Sequence, residues 1–183
     1  MTRTMSAHCI AVATMIFCSA IRGMTPQSDG TTGVAFQVVT DKTAYAPSST
    51  LWVKFIVTNT GKSPLYLSRN LSECSSSQGS FFFLILDDKD QDVTGQGCSL
   101  DSWPPGEDVE RLADPQLWIR LKQGEIFGRE LAFDLPSKKG TYRLKAELTP
   151  TGFTDKQKEI LSLKQIRVLE KTCPAPIVTI TIR

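Results

Sequence analysis

Residues 140–148 read Gly-Thr-Tyr-Arg-Leu-Lys-Ala-Glu-Leu, and apolar side chains alternate there with polar ones. Successive side chains of a β-strand point to opposite faces, so a period of two indicates a strand with one buried face. The positions predicted to face inward are Tyr142, Leu144, Ala146 and Leu148. This stretch predicts that the chain folds mainly into β-sheet.

The alternation recurs on both sides of this strand. It predicts further strands in residues 34–38, 51–57, 64–67, 117–121, 131–135 and 177–183. Residues 81–86 read Phe-Phe-Phe-Leu-Ile-Leu, an unbroken apolar run typical of a central strand covered on both faces. For residues 155–171 we expect a helical turn followed by an irregular or strand-like connection. About eight short strands with little helix predict an all-β sandwich or barrel.

Two turns are predicted from their composition. Asn59-Thr-Gly-Lys follows a strand, and we expect Gly61 to take a positive φ there. The charged residues 87–92 form the second turn, and we expect a short return strand near Val93.

The N-terminal residues have the pattern of an export signal. Arg3 precedes an apolar run, Cys9 to Ala20, that ends in the small residues Ser19 and Ala20. This run is shorter than the roughly 20 apolar residues of a membrane span. We expect a signal peptide at 1–20, a flexible lead-in at 21–33, a single domain at 34–183, and a secreted or periplasmic product. An uncleaved N-terminal anchor is the alternative.

Charge and histidine content exclude several classes of function. Loss of Arg3 would leave 20 Lys and Arg against 19 Asp and Glu, a net charge near +1, which predicts neither a nucleic-acid partner nor an anionic membrane. The single histidine, His8, would leave with the signal. A mature chain without histidine has no Ser-His-Asp or Cys-His site and no His-ligated metal. We therefore expect no enzyme and no cofactor.

Three cysteines remain after cleavage. If residues 81–86 and the return strand form a hairpin, Cys74 and Cys98 lie just beyond its open ends, and we predict a disulfide between them. Cys173 is the rival partner for either.

The acidic turn also has the spacing of a calcium loop. Asp88, Asp90 and Asp92 alternate as oxygen ligands do around a hard cation. Val93 stands where such a loop needs glycine, and Ser99 where it needs glutamate. A solvated hairpin turn is the favoured interpretation, and calcium binding stays open.

The longest connection between predicted strands spans residues 99–115 and carries the candidate contact site. Trp103 is followed there by Pro104 and Pro105. An aromatic side chain on a proline-stiffened loop is a typical protein contact. Alternatively, Trp103 caps the open end of the core.

Three motifs resemble a known family. Residues 45–60 resemble the opening of small bacterial immunoglobulin-like domains, and most closely the domain family called intracellular proteinase inhibitor. Residues 121–125 resemble its Leu-x-Pro-Gly-Glu turn, with Gln123 where proline is usual. Residues 140–142 match the Gly-x-Tyr that opens a late strand in such domains. The resemblance implies an immunoglobulin-like β-sandwich over residues 34–183 and binding to a protease.

These observations predict a non-catalytic, exported protein-binding module, and a protease-inhibitor-like role is one variant of it. The partner is an unknown protein, and a protease is one class of it. The alternatives are a structural or accessory domain of the cell envelope and a small hydrolase that uses carboxylates alone.

Overall fold

A computed structural model describes residues 33–69, 81–94, 114–150 and 152–183. These residues form ten β-strands and one α-helix, so the predicted all-β class is confirmed. The strands are β1 (Val34–Thr40), β2 (Ala44–Tyr45), β3 (Thr50–Asn59), β4 (Leu65–Ser68), β5 (Phe81–Leu86), β6 (Trp118–Leu121), β7 (Ile126–Asp134), β8 (Gly140–Leu148), β9 (Cys173–Pro174) and β10 (Val178–Ile182). The helix is α1 (Asp155–Leu163), and a single 3-10 turn, Pro115–Leu117, precedes β6.

The first sheet has β3 at its centre. This strand pairs antiparallel with β1 on one side and with β7 on the other. Its inward side chains are fully buried, as the alternation predicts: Leu51, Val53, Phe55 and Val57. Its outward face includes Trp52, which is 46% exposed.

The second sheet has the order β2-β10-β8-β5, and β9 pairs with the end of β8. Strand β10 is parallel to β2 and antiparallel to β8, which is antiparallel to β5. Strand β8 has the predicted bounds, and all four of its predicted inward side chains are buried. The C-terminal strand places Ile180 and Ile182 in the core, which ties the chain end into the sheet.

One hydrophobic core joins the inward faces of the two sheets. Phe36 and Phe55 from the first sheet stack on Phe81 of the second, at centroid distances of 5.6 and 5.0 Å. Phe83 and Phe133 meet at 4.3 Å. Each fully buried ring stabilises the fold by about 1.5–3 kcal/mol, and ring pairing adds to this.

A small third sheet, β4 paired with β6, lies against this core. Leu65 pairs with Leu121, and both are buried in the main cluster. Trp118 is also buried, but in a second cluster on the side of β6 that meets the helix. Because the helix covers the face of β6 at Trp118 and leaves Arg120 exposed on the same face, the burial alternation of β6 is less regular than that of β8.

The helix is set by a capping box. The Thr154 hydroxyl accepts from the backbone N–H of Gln157, and the Gln157 side chain accepts from the Thr154 N–H. Asp155 adds a negative charge in the first turn, where the helix dipole favours it. The expected helical turn is thus a nine-residue helix, and the chain after it is irregular, as predicted.

The central position predicted for residues 81–86 is not confirmed within the described ranges. Strand β5 stands last in the described order of its sheet, not at the centre. Its outward side chains, Phe82, Leu84 and Leu86, are half-buried. An apolar run reports coverage of both faces, whereas the place of a strand in a sheet depends on pairing with distant residues.

The structure corrects one of the two turn predictions. Gly61 does not adopt a positive φ, and the glycines that do so within the described ranges are Gly33 and Gly124, at 63° and 79°. The predicted return strand near Val93 is described only as far as Thr94, where an antiparallel bridge joins Leu86 to Asp92 and the Val93 N–H donates to the Ile85 carbonyl.

Candidate functional site

Helix α1 packs on the outer side of β6. Trp118, Phe153 and Leu161 are buried together, and the two aromatic rings lie 6.2 Å apart. Tyr66 and Ile166 pack partly against this group. The helix therefore has its own small core, separate from the one between the sheets.

The chain turns back directly after the helix. Gln165 takes a φ of 56°, and the N–H of Ile166 donates to the Leu161 carbonyl at 2.8 Å. At the next residue, the Arg167 carbonyl accepts from the N–H of Tyr66 on β4, also at 2.8 Å. Residues 165–170 are thereby held beside the third sheet.

This arrangement leaves a groove of about 780 Å³, which we call the helix groove. Its apolar side chains include Phe153, Leu161, Ile166 and Val168. Its charged side chains are Lys158, Arg167 and Glu170. The volume lies in the range of ligand-binding clefts, and apolar walls with a few polar groups are typical of them.

Arg167 lines both the helix groove and a smaller cavity of about 260 Å³ beside it. Its Nη2 donates to Oδ1 of Asn59 at 3.2 Å. Its Nε is buried and has no hydrogen-bond partner within the described ranges. No salt bridge joins Arg167 to an acidic side chain in the described part of the chain. A half-buried cation at this site therefore has unused donors.

Gly61 makes room for the guanidinium, and Gly33 packs against Gly61. A Cβ added to Gly61 would lie 2.7 Å from Arg167 Nη1, which is too close. A Cβ added to Gly33 would meet the Gly61 backbone at 3.0 Å and would be in ordinary contact with Nη1 at 3.4 Å. The N–H of Gly61 donates to the Gly33 carbonyl at 2.8 Å, which keeps the two segments together. Close approach, not backbone conformation, is what requires glycine at 61.

Asn59 contacts the guanidinium from the other side, and Asn59 and Gly61 together form what we call the seat of Arg167. It is fully buried, and its Nδ2 donates to the carbonyls of Leu121 and Ser63 at 2.8 and 3.0 Å. Its Oδ1 accepts from the N–H of Gly61 at 3.1 Å as well as from Arg167. All of the hydrogen-bonding groups of this amide are used, so its position is rigidly determined.

The residues predicted to contact a partner lie outside the described ranges. These are Trp103, Pro104 and Pro105, and their role stays a prediction. The same holds for the disulfide between Cys74 and Cys98. Cys173, the rival partner, lies in the core at 1% exposure, with Sγ 3.7 Å from the Val34 carbonyl.

The acidic turn is organised by hydrogen bonds at its start. Oδ1 of Asp87 accepts from the N–H groups of Lys89 and Gln91 at 2.8 and 2.9 Å. The bond from Gln91 is the main reason that the pKa of Asp87 lies below its usual range. This geometry matches a hydrogen-bonded hairpin turn.

The three candidate calcium ligands do not converge. Asp88 is exposed, Asp90 pairs with Arg143, and Asp92 accepts from the N–H of Thr94 at 2.9 Å and from its hydroxyl. Over the described ranges, no group of three or more His, Cys, Asp or Glu side chains is arranged to hold a metal ion.

Two tyrosines fasten loops to the ends of strands. The Tyr45 hydroxyl donates to Oδ1 of Asp41 at 2.6 Å and accepts from the N–H of Lys42 at 3.0 Å. Burial, and then the hydrogen bond to Asp41, raises the pKa of Tyr45 to about 12. The Tyr142 hydroxyl donates to the Lys138 carbonyl at 2.7 Å. Both residues are buried, as expected for core or corner positions.

Sequence reasoning missed Asn59 and Arg167. A signal for Asn59 exists: it continues the inward face of Leu51, Val53, Phe55 and Val57, so a polar residue falls at a buried position. A buried amide requires partners and thus marks a polar site. No comparable signal marks Arg167, which lies in an irregular segment.

No protein-family model matches this chain, and no curated protein matches it significantly. The site must therefore be interpreted from its own geometry. None of the helices within the described ranges combines the length and the apolar character needed to cross a membrane.

Proposed function

We propose that this chain is an exported, non-catalytic module that binds a segment of another protein in the helix groove. The observation that carries the proposal is the groove itself, with apolar walls beside Arg167, whose guanidinium has donors that no acceptor in the described part of the chain uses. A short peptide offers the same combination of apolar side chains and polar groups. Binding, unlike catalysis, needs no nucleophile or general base at this position.

We also propose that the scaffold is an immunoglobulin-like β-sandwich. The order β1-β3-β7 in one sheet and β10-β8-β5 in the other matches that fold if these are strands A, B, E and G, F, C. The hydrogen bond from Tyr142 back to the Lys138 carbonyl has the form of a tyrosine corner. In this assignment, α1 and its groove form an insertion between strands F and G.

Selection from a library of random short peptides tests the binding function. The purified protein is the bait, and Ser162→Trp is the counter-bait, because Ser162 is exposed on α1 and lines the groove. Lys156→Trp is the matched control, since Lys156 is exposed on the same helix but does not line the groove. We expect peptides that bind the wild type and Lys156→Trp but not Ser162→Trp.

Two results would contradict the use of the groove. One is that no peptide distinguishes Ser162→Trp from Lys156→Trp. The other is that the selected peptides are insensitive to Ser162→Trp and are lost with Trp103→Ala, which would move the contact to the connection that carries Trp103.

A protease is one class of partner, supported by the resemblance of residues 45–60 to proteinase inhibitor domains. Incubation of the mature chain with secreted serine, cysteine and metallo-proteases tests it. Inhibition at equimolar protein is expected for an inhibitor. Cleavage of the chain without inhibition would argue against that role.

Export is supported by the pattern of residues 1–20. Mass spectrometry of the protein recovered from its native host should show cleavage near Ala20. An intact Met1 in a cytosolic product would contradict this proposal.

A further inference from the structure

We propose that Arg167 is the anion-binding residue of the helix groove and that it receives a carboxylate of the bound peptide. This inference rests on the proposed function of the groove and names the chemical group that it recognises. The carboxylate has two sources in a peptide, the C-terminus and an Asp or Glu side chain. The chemistry at Arg167 is the same for both.

The first argument is the unused hydrogen-bonding capacity of the guanidinium. Of its three nitrogens, Nη2 has an acceptor, Oδ1 of Asn59, whereas Nε is buried without one in the described part of the chain. A buried donor without a partner costs about 1–3 kcal/mol. Nε is sealed from solvent, so the donors that an entering acceptor can reach are those of Nη1, which has no hydrogen-bond partner within the described ranges. The guanidinium thus favours a ligand that brings oxygen atoms.

The second argument is charge. Lys158 has a carboxylate nearby, since its Nζ lies 3.5 Å from Asp155 Oδ1. Arg167 forms no salt bridge in the described ranges, and its hydrogen-bond partner Asn59 is neutral. Glu170 lines the same groove but is exposed and not paired with Arg167 there. The Coulombic attraction between a partly buried cation and an anion is stronger than at the surface, because the surrounding dielectric is lower. Hydrogen bonds from the guanidinium offset the desolvation of the anion.

The third argument is that the seat is built for the guanidinium. Asn59 is immobilised by four hydrogen bonds, and only a glycine at 61 leaves space for Nη1. The side chain is therefore held before any ligand arrives. A planar, pre-positioned guanidinium matches the two oxygens of a carboxylate better than an ammonium group does.

The apolar walls define the rest of the ligand. Phe153, Leu161 and Ile166 line the same groove as Arg167. A carboxylate at Arg167 thus lies beside a surface that accepts an apolar side chain. The ligand class is a peptide with a carboxylate next to an apolar residue.

The experiment changes the ligand first, so that it does not depend on the folding of a variant. Peptides selected by the wild type are synthesised in matched forms: with a free or an amidated C-terminus, and with Asp and Glu kept or replaced by Asn and Gln. Fluorescence anisotropy gives the affinity of each form. We expect one of these changes to weaken binding about 10- to 100-fold, and which change does so identifies the source of the carboxylate.

Protein variants then locate the effect. With Arg167→Gln, the acidic and neutral forms of the peptide should bind with equal affinity. The control is Lys54→Gln, which removes one exposed charge on the first sheet and should keep the difference in affinity between the two forms. Gly61→Ala keeps the charge but displaces the guanidinium, and it should also reduce the difference. If Arg167→Gln does not fold, Gly61→Ala is the variant that tests the role of the guanidinium. Arg167→Lys should restore only part of the discrimination.

The two proposals fail in different ways. If Ser162→Trp abolishes peptide binding but acidic and neutral peptides bind equally to the wild type, the role of Arg167 is overturned and the groove remains the binding site. If the acidic peptide is preferred to the same extent by Arg167→Gln and by the wild type, another residue is the receptor. If no selected peptide responds to Ser162→Trp, the proposed function itself fails.

Discussion

Asn59→Ala should destabilise the protein more than any other single change at the groove that leaves the hydrophobic core intact. The substitution removes four hydrogen bonds at a fully buried position. It leaves the Leu121 carbonyl and the Gly61 N–H without these partners, and it releases Arg167 from its seat.

The magnitude follows from the partners. Three of the bonds are to neutral backbone groups, each with a net contribution of about 1 kcal/mol, and the bond to the Arg167 cation contributes about 1.5–3 kcal/mol. These values are not additive, so we expect a loss of about 3–5 kcal/mol. This is a large part of the 5–15 kcal/mol that typically stabilises a single domain.

Urea denaturation at pH 7, followed by tryptophan fluorescence, measures the loss as a shift of the midpoint at constant slope. Thr58→Ala is the matched control, because Thr58 neighbours Asn59 on β3 but points outward and is half-exposed. We expect the control to change stability by no more than about 0.5 kcal/mol. A loss below about 1 kcal/mol for Asn59→Ala would refute the view that this amide organises the seat.

Three further predictions concern other parts of the chain. The raised pKa of Tyr45 means that the folded state favours the neutral phenol, so its contribution to stability is complete below about pH 10 and is lost as the pH rises towards about 12. Tyr45→Phe should therefore lack about 2 kcal/mol of the alkaline destabilisation of the wild type in urea titrations, and equal alkaline losses would contradict this. Gly124→Ala should lower the free energy of unfolding by about 1–2 kcal/mol in the same assay. The positive φ alone is the cause, because no atom lies within 4 Å of the added Cβ, and an unchanged midpoint would argue against backbone strain. A non-reducing peptide map should link Cys74 to Cys98 in a bond that stabilises the fold by about 3–4 kcal/mol, and a link to Cys173 instead would show the pairing to be wrong.

The strands were predictable where one face is buried and the other is not. In β8, every predicted inward residue is buried, and in β3 the alternation from Leu51 to Val57 is fully confirmed. The same reasoning did not establish the place of β5 in its sheet, because an apolar run reports which faces are covered and not which strands pair with it. It also predicted a helical turn at Asp155 but not the groove behind the helix, since the groove depends on how residues 165–170 return to β4.

The candidate site also contains one residue whose burial the sequence pattern indicates and one whose contact it does not. Asn59 occupies an inward position of a strand, so the sequence alone contains the evidence that a polar group is buried there. Its partner Arg167 is 108 residues away, in a segment without periodicity. Short-range patterns carry no information about a contact over that distance.

The sequence by itself determined which residues face inward, because the alternation of a strand is a property of the local backbone and survives in any β fold. It also determined the start of α1, through the local capping pair Thr154 and Gln157. Only the tertiary structure decided the order of the strands, the stacking of Phe81 on both Phe36 and Phe55, and the meeting of Arg167 with Asn59 and Gly61. These contacts join residues far apart in the chain, and they form because burying the apolar faces brings the groups together, whatever their separation in sequence.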